Sequence, residues 1–462
     1  MRILQPIEEK FYNPAAVNRD ALLFRRADIQ ALLIPLMLEQ LLNSLMGMFD
    51  TVMVTSVGSA AVSAVSLVDS VNNLIIQIFS ALAAGGVIIC SQYLGRNERE
   101  NAIESARQLV LVVAFLSVAI SIFCAIFNRP LLRFIFGSVE DDVMAGSIVY
   151  FGITLISFPV FSLFSCGSAF FRAGGNSRFP MIISVIGNAM NIAGNAVLIF
   201  GFDMGIAGAA RSTLASRIFC FVAVFIALRN EKNAIFIRRY RTKPHWGTIK
   251  RILTISVPSG LENGMFQFGK LAIQSTVSTL PTYAIAAQAL AVIFENVNGV
   301  AGIGVGLGLM TIVGQTLGAG RKEEAKFYIV KLTELSYLVI TISCLAVLAI
   351  SKPVMWLSGL ENRSADLCFS MLIFITIVKP LIWSPSFTIP YGLRAAGDVR
   401  YSMLLSSATM WIFRVATVVI LIRVFHMGPL AVWIGMAVDW FVRAIFFTRR
   451  FRGEKWLKHE VI

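Results

Sequence analysis

Charged side chains interrupt long apolar runs of the sequence, and they are where any chemistry must lie. The carboxylates are Glu39, Asp50, Asp69, Glu262, Glu295 and Asp439; the cations include Lys270, Lys379, Arg414 and Arg443. A charge at the centre of a bilayer costs at least ~2.5–3.5 kcal/mol on insertion scales, so each of these needs a partner, a cavity or a task. Asp50 has only Thr, Ser and Gly as polar neighbours near the end of its run. A carboxylate there can take up and release a proton or exchange it for a cation; the plainer alternative is a hydrated aspartate capping a helix end. Glu39 and Glu262 each follow a proline, Pro35 and Pro258, by four residues. Proline frees a backbone carbonyl within a span, so these carboxylates can join a polar cluster or line a cleft. Asp69, Asn72 and Asn73 share an i, i+3, i+4 face, and Glu295, Asn296 and Asn298 form a second cluster. Hydrogen bonding between helices and direct contact with a substrate or ion both account for that pattern. Asp439 and Arg443 have the i, i+4 spacing of a pair on one helix face. Lys379 precedes Pro380 in a run that also holds Pro385 and Pro390, which predicts a helix that is not regular throughout.

Other chemistries lack their residues. There is no G-x-x-x-x-G-K-[ST] phosphate loop and no H-E-x-x-H zinc motif. His245, His426 and His459 are far apart, and the six cysteines form no C-x-x-C pair. The intramembrane carboxylates stand without a nucleophile and base beside them. No metal and no organic cofactor is expected, and without a nucleotide motif the energy source is an ion gradient of protons or sodium.

The elements that position these residues follow from composition. Of 462 residues, 57% are hydrophobic and 14% charged, with a mean hydropathy of +0.75. Soluble domains average nearer 25% charged, so lipid must cover much of this chain. Apolar segments of about the 20 residues needed to cross a bilayer run near 28–50, 60–93, 107–128, 146–171, 180–200, 205–228, 251–274, 283–317, 328–350, 366–392, 402–423 and 428–448. With the N-terminus inside, the inner connections and tails hold 28 Lys and Arg against five outside. That asymmetry predicts an even number of spans with both termini cytoplasmic, and it accounts for most of the net charge of +14 without nucleic acid. Residues 1–26 carry eight charges and no apolar signal-peptide core. A multi-pass protein of a bacterial inner membrane fits these features.

A repeat organises the chain. At an offset of 223, Pro35 and Glu39 match Pro258 and Glu262; Ala61, Ala64, Asn73 and Gly85 match Ala284, Ala287, Asn296 and Gly308; and Gln92-Tyr-Leu-Gly95 matches Gln315-Thr-Leu-Gly318. At an offset of 222, Arg172-Ala-Gly-Gly-Asn-Ser-Arg178 matches Arg394-Ala-Ala-Gly-Asp-Val-Arg400. The expected organisation is an N-terminal six-helix bundle over 1–228, a basic linker over 229–250 and a C-terminal six-helix bundle over 251–462. The linker reads as a solvated loop beside anionic lipid. Six spans per copy orient both copies alike, with a pseudo-twofold axis along the membrane normal and a central cleft. The duplication makes a monomer sufficient.

In their order and doubling, these residues resemble the multidrug and toxic compound extrusion (MATE) transporters. The resemblance rests on Leu45-Met-Gly-Met-Phe-Asp50, Ala60-Ala-Val-Ser-Ala-Val, Gly85-Gly86 to Gly95, the two R-A-x-G turns, and Asn188-Ala-Met-Asn191-Ile-Ala-Gly-Asn195 followed by Gly205-Ile-Ala-Gly-Ala-Ala210. It spans residues 28 to 450. It implies an all-α, V-shaped pair of six-helix bundles that exchanges protons or sodium for small organic, often cationic, compounds by alternating access. Proton-coupled relatives carry an aspartate in the first span and another in the fifth. Asp50 fills the first position and Asn195 stands at the second, so the implied coupling set is Asp50 with Asn191 and Asn195. Glu39, Asp69, Asn73, Glu262 and Glu295 are the candidate cavity residues. A flippase for lipid-linked or anionic cargo is the nearest alternative, with a channel or a lipid-modifying enzyme behind it.

Overall fold

The computed structural model describes residues 11–55, 57–137, 139–240, 242–459, 461 and 462, with backbone alone at 47–52, 55 and 59. Twelve long helices follow one another: α1 Arg26–Thr55, α2 Ser59–Gly95, α3 Arg99–Ile126, α4 Asp141–Ala173, α5 Arg178–Asn195, α6 Gly205–Ala227, α7 Trp246–Val277, α8 Thr282–Gly318, α9 Lys322–Leu357, α10 Asn362–Ala395, α11 Val399–Arg423 and α12 Leu430–Arg452. A short helix, Asn128–Phe136, joins α3 to α4. No strand occurs among the described residues. Eleven of the long helices are apolar enough to cross a membrane. The other, α7, has the length but dilutes its apolar residues with Lys250, Arg251, Glu262 and Lys270.

Helix ends follow from the repeated motifs. Gly175 (φ +83°) and Gly397 (φ +90°) occupy the left-handed region after α4 and α10. There Asn176 N–H donates to Phe171 O at 2.9 Å, and Asp398 N–H donates to Leu393 O at 3.0 Å. This six-to-one closure satisfies carbonyls that the helix end would leave bare, and glycine enters it without a Cβ clash. The R-A-x-G turns are therefore helix stops. Asn97 and Gly320, 223 residues apart, end α2 and α8 in the same way.

Packing repeats as well. α4 lies at the centre of its copy, against α2, α3 and α6, and α10 lies at the centre of the other, against α8, α9 and α12. Phe115 and Ile122 of α3 are exposed, as are their counterparts Leu338 and Leu345 of α9. In a membrane these apolar stripes face lipid. Two interruptions lack a sequence signal: α5 continues as a π-helix over Ala196–Gly201, and α11 contains one over Thr409–Val415. One helix, α10, runs through Pro380, Pro385 and Pro390, and each proline leaves the carbonyl four residues before it without its helical N–H partner.

The helices form two compact units, one of Met1–Leu41 with Leu261–Ile462, the other of Leu42–Gly260. We call them the C-terminal and N-terminal units. The packing line therefore differs from the repeat line. The first half of α1 belongs to the C-terminal unit and the first half of α7 to the N-terminal unit. Glycine makes each docking possible. A Cβ built on Gly304 of α8 would lie 2.8 Å from Met37 Cα, and one on Gly308 would collide with Leu33. In the other unit, Gly85 of α2 meets Ser256 of α7 in the equivalent place.

Chain segments ahead of α1 and α7 follow the same exchange. Asn13 N–H donates to Glu323 at 2.9 Å, Leu23 N–H to Glu324 at 2.6 Å and Arg321 to Ala21 O at 2.8 Å. In the linker, Arg99 donates to Ala234 O, Glu231 O and Asn233 O. The linker is thus more than a solvated loop: Ile235 and Ile237 are buried, while the Arg238–Glu231 pair faces outward. Replacing Gly304 with Leu should overpack the α1–α8 contact at a cost of about 1–3 kcal/mol, read as a lower melting temperature in detergent. An unchanged melting temperature would show that α1 does not rest there.

Candidate functional site

The N-terminal unit gathers uncharged polar groups around one acid and one base. Asp69 Oδ1 accepts from Asn72 Nδ2 and from the Tyr150 hydroxyl, each at 3.3 Å. Thr154 Oγ1 donates to Asn72 Oδ1 at 3.4 Å, which ties α2 to α4 by the interhelical bonding read from the sequence. Arg217 of α6 donates to Ser157 Oγ at 2.6 Å and lies 5.0 Å from the centre of the Phe161 ring. Deeper in α5, Asn195 Nδ2 donates to Asn191 Oδ1 at 3.4 Å, and Asn191 Nδ2 donates to Thr213 Oγ1 at 3.1 Å. Both asparagines are buried. The side chain of Asp50 lies outside the described residues. Asn73 turns to the exposed face of α2 and Glu39 is buried in α1.

The C-terminal unit answers charge with charge. Lys379 is 0% exposed. Its ammonium donates to Glu295 Oε1 at 2.7 Å, to the Glu295 carbonyl at 3.1 Å and to Asn298 Oδ1, which uses all three N–H bonds. The rings of Trp383 and Trp440 flank it at 5.8 Å each. Arg414 Nε donates to Asp439 Oδ2 at 2.9 Å, and Arg394 Nη2 donates to Glu262 Oε1 at 2.6 Å. Gln288 Oε1 accepts from the indole N–H of Trp433 at 2.9 Å.

One pairing differs from the sequence expectation. Asp439 pairs with Arg414 of α11 rather than with Arg443, and Arg443 instead donates to Ser406 Oγ at 2.9 Å. The π-helix that contains Arg414 carries it into the core. Glu262 and Glu295, read as cavity candidates, are each held by a cation; Asn296 is exposed. Tyr150, Thr154, Ser157 and Arg217 escaped sequence reading. A usable signal for two of them exists, since at an offset of 222 Ser157 and Arg217 stand at the positions of Lys379 and Asp439.

Eleven helices fit to cross a membrane, arranged as two copies of one six-helix pattern with polar clusters inside each, describe a duplicated multi-pass transporter rather than an enzyme. The MatE family model matches residues 35–197 and again 258–420, once per repeat, and the chain belongs to that family. It is 24% identical over 441 residues to "Probable multidrug resistance protein NorM" of Thermotoga maritima, covering 95% of this chain and 94% of that one. It is 25% identical over 433 residues to "Uncharacterized transporter YisQ" of Bacillus subtilis, covering 92% and 93%. An outward-facing multidrug resistance MATE transporter of the MOP superfamily superposes with a TM-score of 0.86 at 20% identity, over 93% of this chain and 96% of that one. A MATE structure in complex with MaL6 gives 0.85 at the same identity and coverage. These likenesses establish the fold.

Removing one member of a buried ion pair leaves the other charge stranded, at about 3–5 kcal/mol. Asp439→Asn should therefore lower the melting temperature sharply, while the double change Asp439→Leu with Arg414→Met should recover most of the loss. Equal destabilisation by the single and double variants would refute the pairing.

Proposed function

We propose that this protein exports small organic compounds in exchange for protons or sodium ions, by alternating access, from a bacterial inner membrane with both termini in the cytoplasm. The match of the family to both repeats carries this reading. The full-length relatives named for multidrug resistance support the class of cargo, and the Lys and Arg asymmetry of the connections supports the orientation. Asp50, backed by Asn191 and Asn195 on α5, is the coupling group in this scheme: a carboxylate that binds the coupling ion in one facing state and yields it in the other. Proton and sodium are equally served by such a group, and no further cofactor takes part. Phe and Met number 35 and 17, and surfaces of that kind bind flat organic cations by hydrophobic and cation–π contact. A flippase for anionic cargo is the second reading, favoured by the excess of cations inside the C-terminal unit.

In proteoliposomes, the wild type should move ethidium under a proton or a sodium gradient but not under both equally, and Asp50→Asn should reduce that flux at least about tenfold, the effect of ~1.4 kcal/mol. Transport by Asp50→Asn at the wild-type rate would remove Asp50 from the coupling step. Absence of ethidium movement by folded wild type would end the cation-export reading.

A further inference from the structure

Along the apolar helices of the C-terminal unit, the cations Lys270, Lys379, Arg394, Arg414 and Arg443 exceed by one the carboxylates Glu39, Glu262, Glu295 and Asp439. Glu295, Asp439 and Glu262 are committed to Lys379, Arg414 and Arg394. Two further cations of this unit remain, Arg443 in the interior and the exposed Lys270. Arg443 is 2% exposed, lies 4.5 Å from the Phe387 ring centre and 5.8 Å from that of Phe447, and its Nε has no acceptor. The carboxylates near enough to act on it, Asp439 and Glu262, already serve other cations. Lys270 of α7 makes no ion pair with any described residue.

The position of Lys270 is informative. It is exposed, yet it stands within electrostatic reach of Glu295 and Arg414, both in the unit's interior. Its ammonium lies 5.2 Å from the Phe266 ring centre, and the Arg414 guanidinium lies 5.2 Å from the same ring. Phe266 and Lys270 are one helical turn apart, so this face of α7 runs beside the buried Arg414–Asp439 pair. An accessible ammonium beside a core with surplus positive charge repels cations and attracts an acid, most strongly where water is scarce. Phe266 supplies an apolar surface next to it.

We propose that Lys270 is the anchor of a binding site in the C-terminal unit for organic compounds that carry a carboxylate on an aromatic body. This rests on the export reading for its role in transport, and it adds to the cargo molecules with an acidic group, including those that also carry a basic one. Arg443, in excess over the three neutral ion pairs, sets the positive field, and Lys270 makes the direct contact.

A matched pair of probes tests this. Full-length protein in detergent is titrated with 1-pyrenebutyrate and with 1-pyrenemethylammonium, which share one ring system, and pyrene emission sensitised by tryptophan reports binding. The wild type should bind the carboxylate saturably and more tightly than the ammonium. Lys270→Met should weaken the carboxylate about tenfold, equivalent to ~1.4 kcal/mol, and Lys270→Arg should keep it within about threefold. Equal binding by Lys270→Met, a wild-type preference for the ammonium, or no saturable binding of the carboxylate would each overturn the site. Ethidium export separates this from the export reading. Export that persists while Lys270→Met binds pyrenebutyrate normally sinks the acidic site alone, and Lys270-dependent binding by a protein that exports nothing sinks the export reading alone.

Discussion

Hydrocarbon cannot solvate a charge, and most of this structure is an answer to that constraint. Lys379 meets it by spending three N–H bonds on Glu295 and Asn298. Arg414 and Asp439 meet it with each other. The desolvation of two ions costs several kcal/mol apiece, and their attraction at best repays it, so such pairs are poor sources of stability. Their effect is angular. Any rotation of α10, α11 or α12 that breaks a pair turns a charge toward lipid, and the rotation that keeps all the pairs is favoured over the rest. The backbone obeys the same rule at the helix ends, where Gly175, Gly397, Asn97 and Gly320 enter the left-handed region so that the last carbonyls find donors.

Close packing is the second constraint, and it acts where α1 and α7 change units. Lipid offers no hydrophobic drive between helices, so contact depends on backbones approaching closely. Gly304 and Gly308 admit α1, and Gly85 admits α7. Polar bonds add to this outside the apolar stretch: the 11–25 segment is tied to Glu323 and Glu324, and the 231–245 segment to Arg99 and Gln108. Both segments precede a helix whose first half packs with the other repeat. The pattern is one device used twice, with Gly85 and Gly308 at its centre 223 residues apart.

The spans were legible because hydrophobic length is a composition property: the segments read at 60–93 and 283–317 are helices at Ser59–Gly95 and Thr282–Gly318. The repeat was legible because glycine, asparagine and proline are needed at fixed backbone positions. Site pairing was not. Glu262 finds Arg394 across 132 residues, a distance over which no local pattern carries information. Asp439 has an attractive local partner in Arg443, and the spacing rule selects it. The π-helix at Thr409–Val415 adds residues to a turn without a distinctive sequence and swings Arg414 into reach first. The exchange of half-helices was also out of sight, since sequence similarity marks which segments are equivalent and says nothing about where each one packs.

Duplication has preserved the frame and changed its contents. Where the N-terminal unit has Asn72, Ser157 and Arg217, the C-terminal unit has Glu295, Lys379 and Asp439. The hydrogen bond that Arg217 makes to Ser157 falls at the places held by Asp439 and Lys379, where an anion replaces the cation, a cation replaces the hydroxyl, and each is bound to a different partner. The uncharged groups around Asp69 can rearrange at modest cost, because hydroxyls and amides donate and accept alternately. An ion-paired cluster cannot, since each broken pair exposes a charge. The two interiors therefore have different freedoms. The first can exchange hydrogen-bond partners without stranding a charge, and the second holds its charges in one arrangement. A duplicated fold lets each copy keep one of these properties, because the backbone frame is shared and the side chains it carries are free to differ.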